Sequence, residues 1–135
     1  MIAAHQLVPL RRILIVDDEV DNRELLQIVL KWEGFDTGTA DGGEQALQSA
    51  LAEPPDLILV DLLMPGIDGY QLIAELKQNP ATQKIPVIML SAMNDSATRA
   101  RALSSGANAY LTKPIDRSEL CEQVRSILGL EARHA

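Results

Sequence analysis

The chain's 135 residues suffice for one domain with one core, and a hydrophobic fraction of 47% excludes a disordered polymer. A net charge of −7 argues against nonspecific nucleic-acid binding, which needs clustered Lys and Arg, and suits a chain that gathers carboxylates around a cation. The lone Cys121 excludes an internal disulfide, no stretch approaches the ~20 apolar residues of a membrane span, and residues 1–12 lack the apolar run of a secretory signal.

Residues 1–10 read as an N-terminal extension. Ile13-Leu14-Ile15-Val16 is an apolar run typical of a strand buried on both faces, and it ends in Asp17-Asp18-Glu19. Over 20–33 the spacing predicts a helix. Leu25, Val29 and Trp32 fall on one face with Leu26 and Leu30 beside them, and Gly34 stops the helix. Residues 35–40 are short and mixed, as an edge strand would be. Asp41-Gly42-Gly43 turns into a second helix with Ala46, Leu47, Ala50 and Leu51 as its expected buried face, and Pro54-Pro55 ends it.

Leu57-Ile58-Leu59-Val60 is again fully apolar, and Asp61 stands at its carboxyl end. Pro65, Gly66 and Gly69 around Asp68 then mark a loop. A third helix is expected over 70–78 with Leu72, Ile73 and Leu76 inward. A strand over 85–90 follows, with Pro86 near its start and Ser91-Ala92 at its end. Residues 95–105 form an alanine-rich helix closed by Gly106, and 107–112 a fifth strand ending in Lys113-Pro114. The last helix, over 116–128, turns Leu120, Val124, Ile127 and Leu128 inward and stops at Gly129. The domain is thus expected over 11–128, with a tail over 129–135.

Strand and helix alternate five times, and each crossover is long enough for a right-handed βαβ unit. The expected fold is α/β: a flavodoxin-like (βα)5 doubly wound sandwich. Its five-stranded parallel sheet runs in the order 2-1-3-4-5, with the two mixed strands at the edges.

In such sheets sites form at the carboxyl ends of strands. Here those ends supply Asp17 and Asp18, Asp61, Ser91 and Lys113. Three carboxylates in one cleft repel and need a cation or a raised pKa. Both histidines, His5 and His134, lie in the tails, so the ligand set is oxygen-only and suits Mg²⁺ or Mn²⁺ rather than zinc. A lysine and a hydroxyl facing the same spot can hold two further phosphate oxygens.

Four stretches carry a resemblance. They are Val16-Asp17-Asp18-Glu19, the run from Val60 through Asp61 and Met64-Pro65-Gly66 to Gly69, Ser91-Ala92, and Tyr110-Leu111-Thr112-Lys113-Pro114. Together they span nearly the whole chain, which resembles a receiver domain of the response-regulator family of two-component and phosphorelay signalling. The resemblance implies that Asp61 accepts a phosphoryl group from a histidine of a kinase or phosphotransfer protein. Asp18 would bind Mg²⁺ directly with Asp61 and the Leu63 carbonyl, and Asp17 would assist. Lys113 would pair with Asp61 and later with the phosphoryl group. Ser91 would swing toward it and Tyr110 turn inward, switching the surface of the fourth helix, fifth strand and fifth helix that partner proteins read. A cis Lys113-Pro114 peptide is also implied.

The resemblance further implies a cytoplasmic phosphoacceptor domain rather than an enzyme, one that assists only its own phosphorylation and dephosphorylation. It would be a monomer or a phosphorylation-dependent dimer, with no nucleic-acid or membrane contact of its own. Without a recognisable output module after the fifth helix it reads as a single-domain regulator. Leu63 and Met93, two residues after Asp61 and Ser91, are apolar where polar groups would position water, so a long-lived phosphoryl group is expected.

Plainer readings exist. Asp17 or Asp18 could cap the first helix, Glu19 and Asp21 read as helix-start charges, and Cys121 reads as an apolar filler. A haloacid-dehalogenase-type phosphohydrolase wants Asp-x-Asp-x-Thr after the first strand, and a dinucleotide-binding domain wants Gly-x-Gly-x-x-Gly there. Asp17-Asp18-Glu19-Val20-Asp21 fits neither.

Overall fold

The computed structural model describes residues 10–131. His5 and His134, most of the expected extension and the end of the expected tail lie outside the described residues. Strands and helices alternate in chain order as β1 Arg12–Val16, α1 Val20–Trp32, β2 Asp36–Ala40, α2 Gly43–Ala52 and β3 Leu57–Asp61, then α3 Gly69–Gln78, β4 Val87–Ser91, α4 Ser96–Ser104, β5 Ala109–Thr112 and α5 Arg117–Ile127. Every strand pairing is parallel and the order is β2-β1-β3-β4-β5, the doubly wound arrangement that the alternation implies.

Side chains along a strand alternate between faces, so a sheet covered on both sides divides its strands into two cores. Leu14, Val16, Ile58, Val60, Val87 and Met89 pack with Ala46, Ala50, Leu72, Ile73, Leu76 and Ala102 of α2, α3 and α4. Ile13, Ile15, Leu57, Leu59, Ile88 and Leu90 pack with Leu26 and Leu30 of α1 and with Leu120 and Val124 of α5. Every residue of β3 and β4 is buried, whereas β2 is mostly open, as an edge strand should be.

Some elements differ from the pattern read in the sequence. In α1 the inward residues are Leu26 and Leu30, while Leu25 and Trp32 face solvent and Val29 is half-buried. Apolar side chains occupy more than half of this helix's circumference, so periodicity alone could not choose which stripe meets the sheet. In α2, Ala46 and Ala50 are buried and Leu47 packs against the core, but Leu51 is exposed.

β4 begins at Val87, not at 85, and β5 at Ala109, not at 107. Pro86 has no N–H to give the ladder, although its carbonyl accepts from Ile58. Asn108 meets Val87 with a side-chain oxygen at 3.0 Å as well as with its backbone N–H at 2.7 Å, which closes the sheet's lower edge.

Candidate functional site

The register sets Val16 beside Val60, Asp61 beside Leu90, and Leu90 beside Leu111. Asp17 and Lys113 continue β1 and β5 just past the sheet edge, and Asp61 ends β3. By period-2 alternation these three follow Ile15, Leu111 and Leu59, which belong to the face covered by α1 and α5. Ser91 follows Met89 onto the opposite face, where Tyr110 also packs. By alternation the strand-end residues thus leave the sheet towards two faces, all at the same carboxyl edge.

In the first group, Lys113 Nζ lies 3.2 Å from Asp61 Oδ1 and 3.7 Å from Asp17 Oδ2. Asp17 is 1% exposed and Asp61 7%. Burial pushes the Asp61 carboxyl above the ordinary carboxylate range; Lys113 pulls it back, and Asp17 and Asp18 push it further up. Asp17 is held by its backbone: its N–H donates to the Ala40 carbonyl, and its own carbonyl accepts from Arg23 Nη1 at 2.8 Å. Its Oδ1 accepts the Glu19 N–H at 2.9 Å, and its buried Oδ2 has no hydrogen-bond donor.

The acidic cluster is wider than the sequence pattern indicates. One carboxylate oxygen each from Asp17, Asp18 and Glu19 lie within 4.8 Å of one another. Glu19 occupies the N-cap position of α1 but makes no side-chain capping bond, so its carboxylate is available to this cluster. Neither Asp17 nor Asp18 is the cap residue; Asp17 supports the turn that precedes it. Arg23 carried no sequence signal, because its contact with Asp17 joins a helix to a loop outside any local spacing rule. An undonated buried oxygen, oxygen-only donors and excess negative charge fit a hard divalent cation, with Asp17, Asp18 and Glu19 at hand and Asp61 alongside.

In the second group, Ser91 is 1% exposed and its Oγ accepts the Met93 N–H at 3.1 Å. Tyr110 is buried, pointing inward, and its hydroxyl donates to the Met93 carbonyl. Arg99 of α4 donates to the Tyr110 carbonyl at 3.1 Å. Met93 therefore ties the β4–α4 loop to Ser91 through its N–H and to Tyr110 through its carbonyl.

The loop after Asp61 is held from both sides. Gly69 N–H donates to the Leu62 carbonyl at 2.9 Å, and Asp68 caps α3 in a reciprocal box with Gln71. Leu63 and Met93 are exposed, 62% and 42%, in the two loops that flank this end of the sheet. The Lys113-Pro114 peptide is cis.

Strand order, register and this assembly of Asp17, Asp18, Asp61 and Lys113 coincide with a match of residues 13–125 to the response regulator receiver domain family model. The chain belongs to the response regulator receiver family. Response regulator PleD of Caulobacter vibrioides is 43% identical over 116 residues, which cover 86% of this chain and 26% of that protein. The phosphate regulon transcriptional regulatory protein PhoB of Escherichia coli is 41% identical over 119 residues, covering 87% and 52%. This receiver therefore spans between about a quarter and a half of those curated relatives. The solved receiver domain of a signal transduction histidine kinase from Syntrophus aciditrophicus superposes with a TM-score of 0.81 at 35% identity, covering 93% of this chain and 96% of that one.

Proposed function

We propose that this receiver accepts a phosphoryl group on Asp61 from a phosphohistidine of a kinase or phosphotransfer protein, with Mg²⁺ bound, and thereby changes its α4-β5-α5 surface. The observation that carries the reading is the buried Asp61 carboxylate, 3.2 Å from Lys113 Nζ at the carboxyl end of the central strand. An Asp61 oxygen attacks phosphorus, the P–N bond breaks, and the imidazole keeps the electron pair and takes a proton from solvent. The product is an aspartyl phosphate.

Mg²⁺, held by Asp18 and Asp61 with the Leu63 carbonyl and with Asp17 assisting, would neutralise charge on the phosphoryl oxygens. Glu19 joins these candidates because its carboxylate stands in the same cluster. Lys113 is placed to follow the charge from the Asp61 carboxylate onto the phosphoryl group. The domain promotes reactions of its own carboxylate alone and is not an enzyme in the turnover sense.

Ser91 Oγ, rotated off the Met93 N–H, would donate to a phosphoryl oxygen. Freeing that N–H shifts the loop whose carbonyl at Met93 receives Tyr110. The surface beyond is a groove of about 400 Å³ lined by Arg99, Leu103, Tyr110, Glu119 and Glu122. Its mixed charge and partial apolarity suit a protein partner. Among the described residues no helix is long and apolar enough to cross a membrane, and cytoplasmic action is part of the proposal.

The test is to incubate the chain with a phosphorylated histidine kinase or a small acyl phosphate plus Mg²⁺ and measure intact mass. Wild type should gain one phosphoryl group, lost on hydroxylamine treatment, and Asp61→Asn should gain none. Equal labelling of Asp61→Asn would defeat the assignment.

A further inference from the structure

Side chains on a helix lean toward its amino end, so a long residue near the start of α1 lies back over the turn that leads into it. Arg23 does this: its Nη1 donates to the Asp17 carbonyl, six residues earlier, at 2.8 Å. One turn on, Gln27 Nε2 donates to Thr37 Oγ1 of β2 at 3.1 Å from the same side of the helix. Arg23 is half-buried and stands near the positive end of the helix dipole, where a cation is disfavoured. Asp17, Asp18 and Glu19 lie in the same turn, yet among the described residues Arg23 makes no ion pair with any of them. Its hydrogen bond goes to the backbone and leaves their carboxylate oxygens alone.

We propose that Arg23 is a positioning residue for the cation: it fixes the Asp17–Asp18 peptide and so aims Asp18 without competing for its carboxylate. The inference rests on the cation site proposed above. The Asp17 carbonyl and the Asp18 N–H belong to one rigid plane. With the carbonyl held by Arg23 that plane cannot turn, and the direction in which the Asp18 Cα–Cβ bond leaves is set. Asp17 itself is anchored from the other side, since its N–H donates to the Ala40 carbonyl and its Oδ1 accepts the Glu19 N–H. Asp18 is exposed, and among the described residues its carboxylate has no hydrogen bond or ion pair of its own. The peptide plane before it is therefore what orients it.

The charge of Arg23 and its geometry act on the cation in opposite senses. As a positive group beside the site it repels Mg²⁺, so removing the charge alone tightens binding. As the anchor of the peptide it pre-orders a ligand, so removing the anchor weakens binding. The second effect is the larger. Groups that orient metal ligands typically carry about 10- to 100-fold in affinity, whereas a charge that reaches solvent is screened. The sign of the change in affinity thus separates a positioning group from a bystander charge.

Backbone amide NMR spectra of the unphosphorylated chain, titrated with Mg²⁺, read the affinity in the folded state and test this. Wild type should saturate at millimolar Mg²⁺, and Asp18→Ala should lose most of the response. Arg23→Met should bind about 10-fold more weakly, with its Asp18 amide resonance displaced before any Mg²⁺ is added. Arg23→Lys, which keeps a donor and the charge, should recover to within roughly 3-fold of wild type. Gln27→Ala removes the neighbouring helix-to-sheet bond and should bind Mg²⁺ as tightly as wild type, even where it melts lower. Arg23→Met that binds as tightly as wild type, or more tightly, overturns the proposal. So does Arg23→Lys no better than Arg23→Met, or Gln27→Ala as weak as Arg23→Met. In each of those cases wild type still responds to Mg²⁺ and the cation site stands. A wild type that ignores Mg²⁺ removes the site and this inference together.

Discussion

Asp61 is less at ease as an ion in the folded chain than in the unfolded one. Burial raises its carboxyl above the ordinary 3.8, Lys113 lowers it, and Asp17 and Asp18 raise it again, with a net upward shift. An acid with a raised folded pKa binds its proton more tightly when folded, so its ionisation costs stability as pH climbs from the unfolded value through the folded one. Asp61→Asn removes that cost. In metal-free solution the variant should melt above wild type at pH 7, and the difference should vanish as pH falls below about 4. Melting curves across pH check this; a variant less stable than wild type at pH 7 would show that the Lys113 pair outweighs burial.

Leu63 and Met93 act at the same scale. Both are exposed, in the loops that follow Asp61 and Ser91. Loss of an aspartyl phosphate needs a water in line with the Asp61 oxygen, and ordering the nucleophile is much of what a protein contributes to phosphoryl transfer. Apolar side chains cannot hydrogen-bond that water. The combined Leu63→Asn and Met93→Glu substitutions should speed phosphate loss by about 10-fold, or ~1.4 kcal/mol of barrier. Decay after removing the donor measures it, and wild-type decay already as fast as the variant's would refute it.

Among elements, the join between β3 and α3 is closed by backbone on backbone. A Cβ on Gly69 would lie 3.0 Å from the Leu62 Cα and 3.2 Å from the Asp61 carbonyl oxygen. Those are backbone atoms at the end of the strand that carries Asp61, and they cannot swing aside. Gly69→Ala should therefore destabilise the fold by about 1–3 kcal/mol and slow phosphoryl acceptance by displacing Asp61. Denaturant melts and loading rates measure the two effects; a variant with wild-type stability would mean that α3 shifts freely on the sheet. The contrast is Gly38, where the added carbon meets only the guanidinium end of Arg12, which can move away.

For the whole molecule, the consequence of a carboxylate-rich edge is linkage to a cation. Binding to the folded chain alone stabilises it by RT ln(1 + [L]/Kd), about 2.7 kcal/mol at 100 times Kd. For a domain of this size that corresponds to roughly 10 °C in Tm. Mg²⁺ should give such a rise at millimolar levels, the range of a site only partly built by protein. Asp18→Ala, at an exposed position, should fold normally and lose most of the rise. An undiminished Mg²⁺ response in that variant would remove Asp18 from the site.

Much of this architecture is legible in the chain alone because its signals are local. Apolar runs such as Leu57-Ile58-Leu59-Val60, closed by a carboxylate and then Pro and Gly, mark buried parallel strands and the edge at which a site can form. Five such alternations leave few topologies, since crossovers are right-handed and short. The sequence by itself therefore determined the strand order and named Asp17, Asp18, Asp61, Ser91 and Lys113 together.

Three matters were decided only in three dimensions. The sheet chose Leu26 and Leu30 over Leu25 and Trp32, because a helix with apolar residues around much of its circumference buries whichever stripe its neighbours present. Register and alternation set Asp17, Asp61 and Lys113 on one face and Ser91 with Tyr110 on the other, a division no single strand encodes. The turn into α1 brought Glu19 into the acidic cluster and left an Asp17 oxygen without a donor, because capping geometry depends on how the helix leaves the strand.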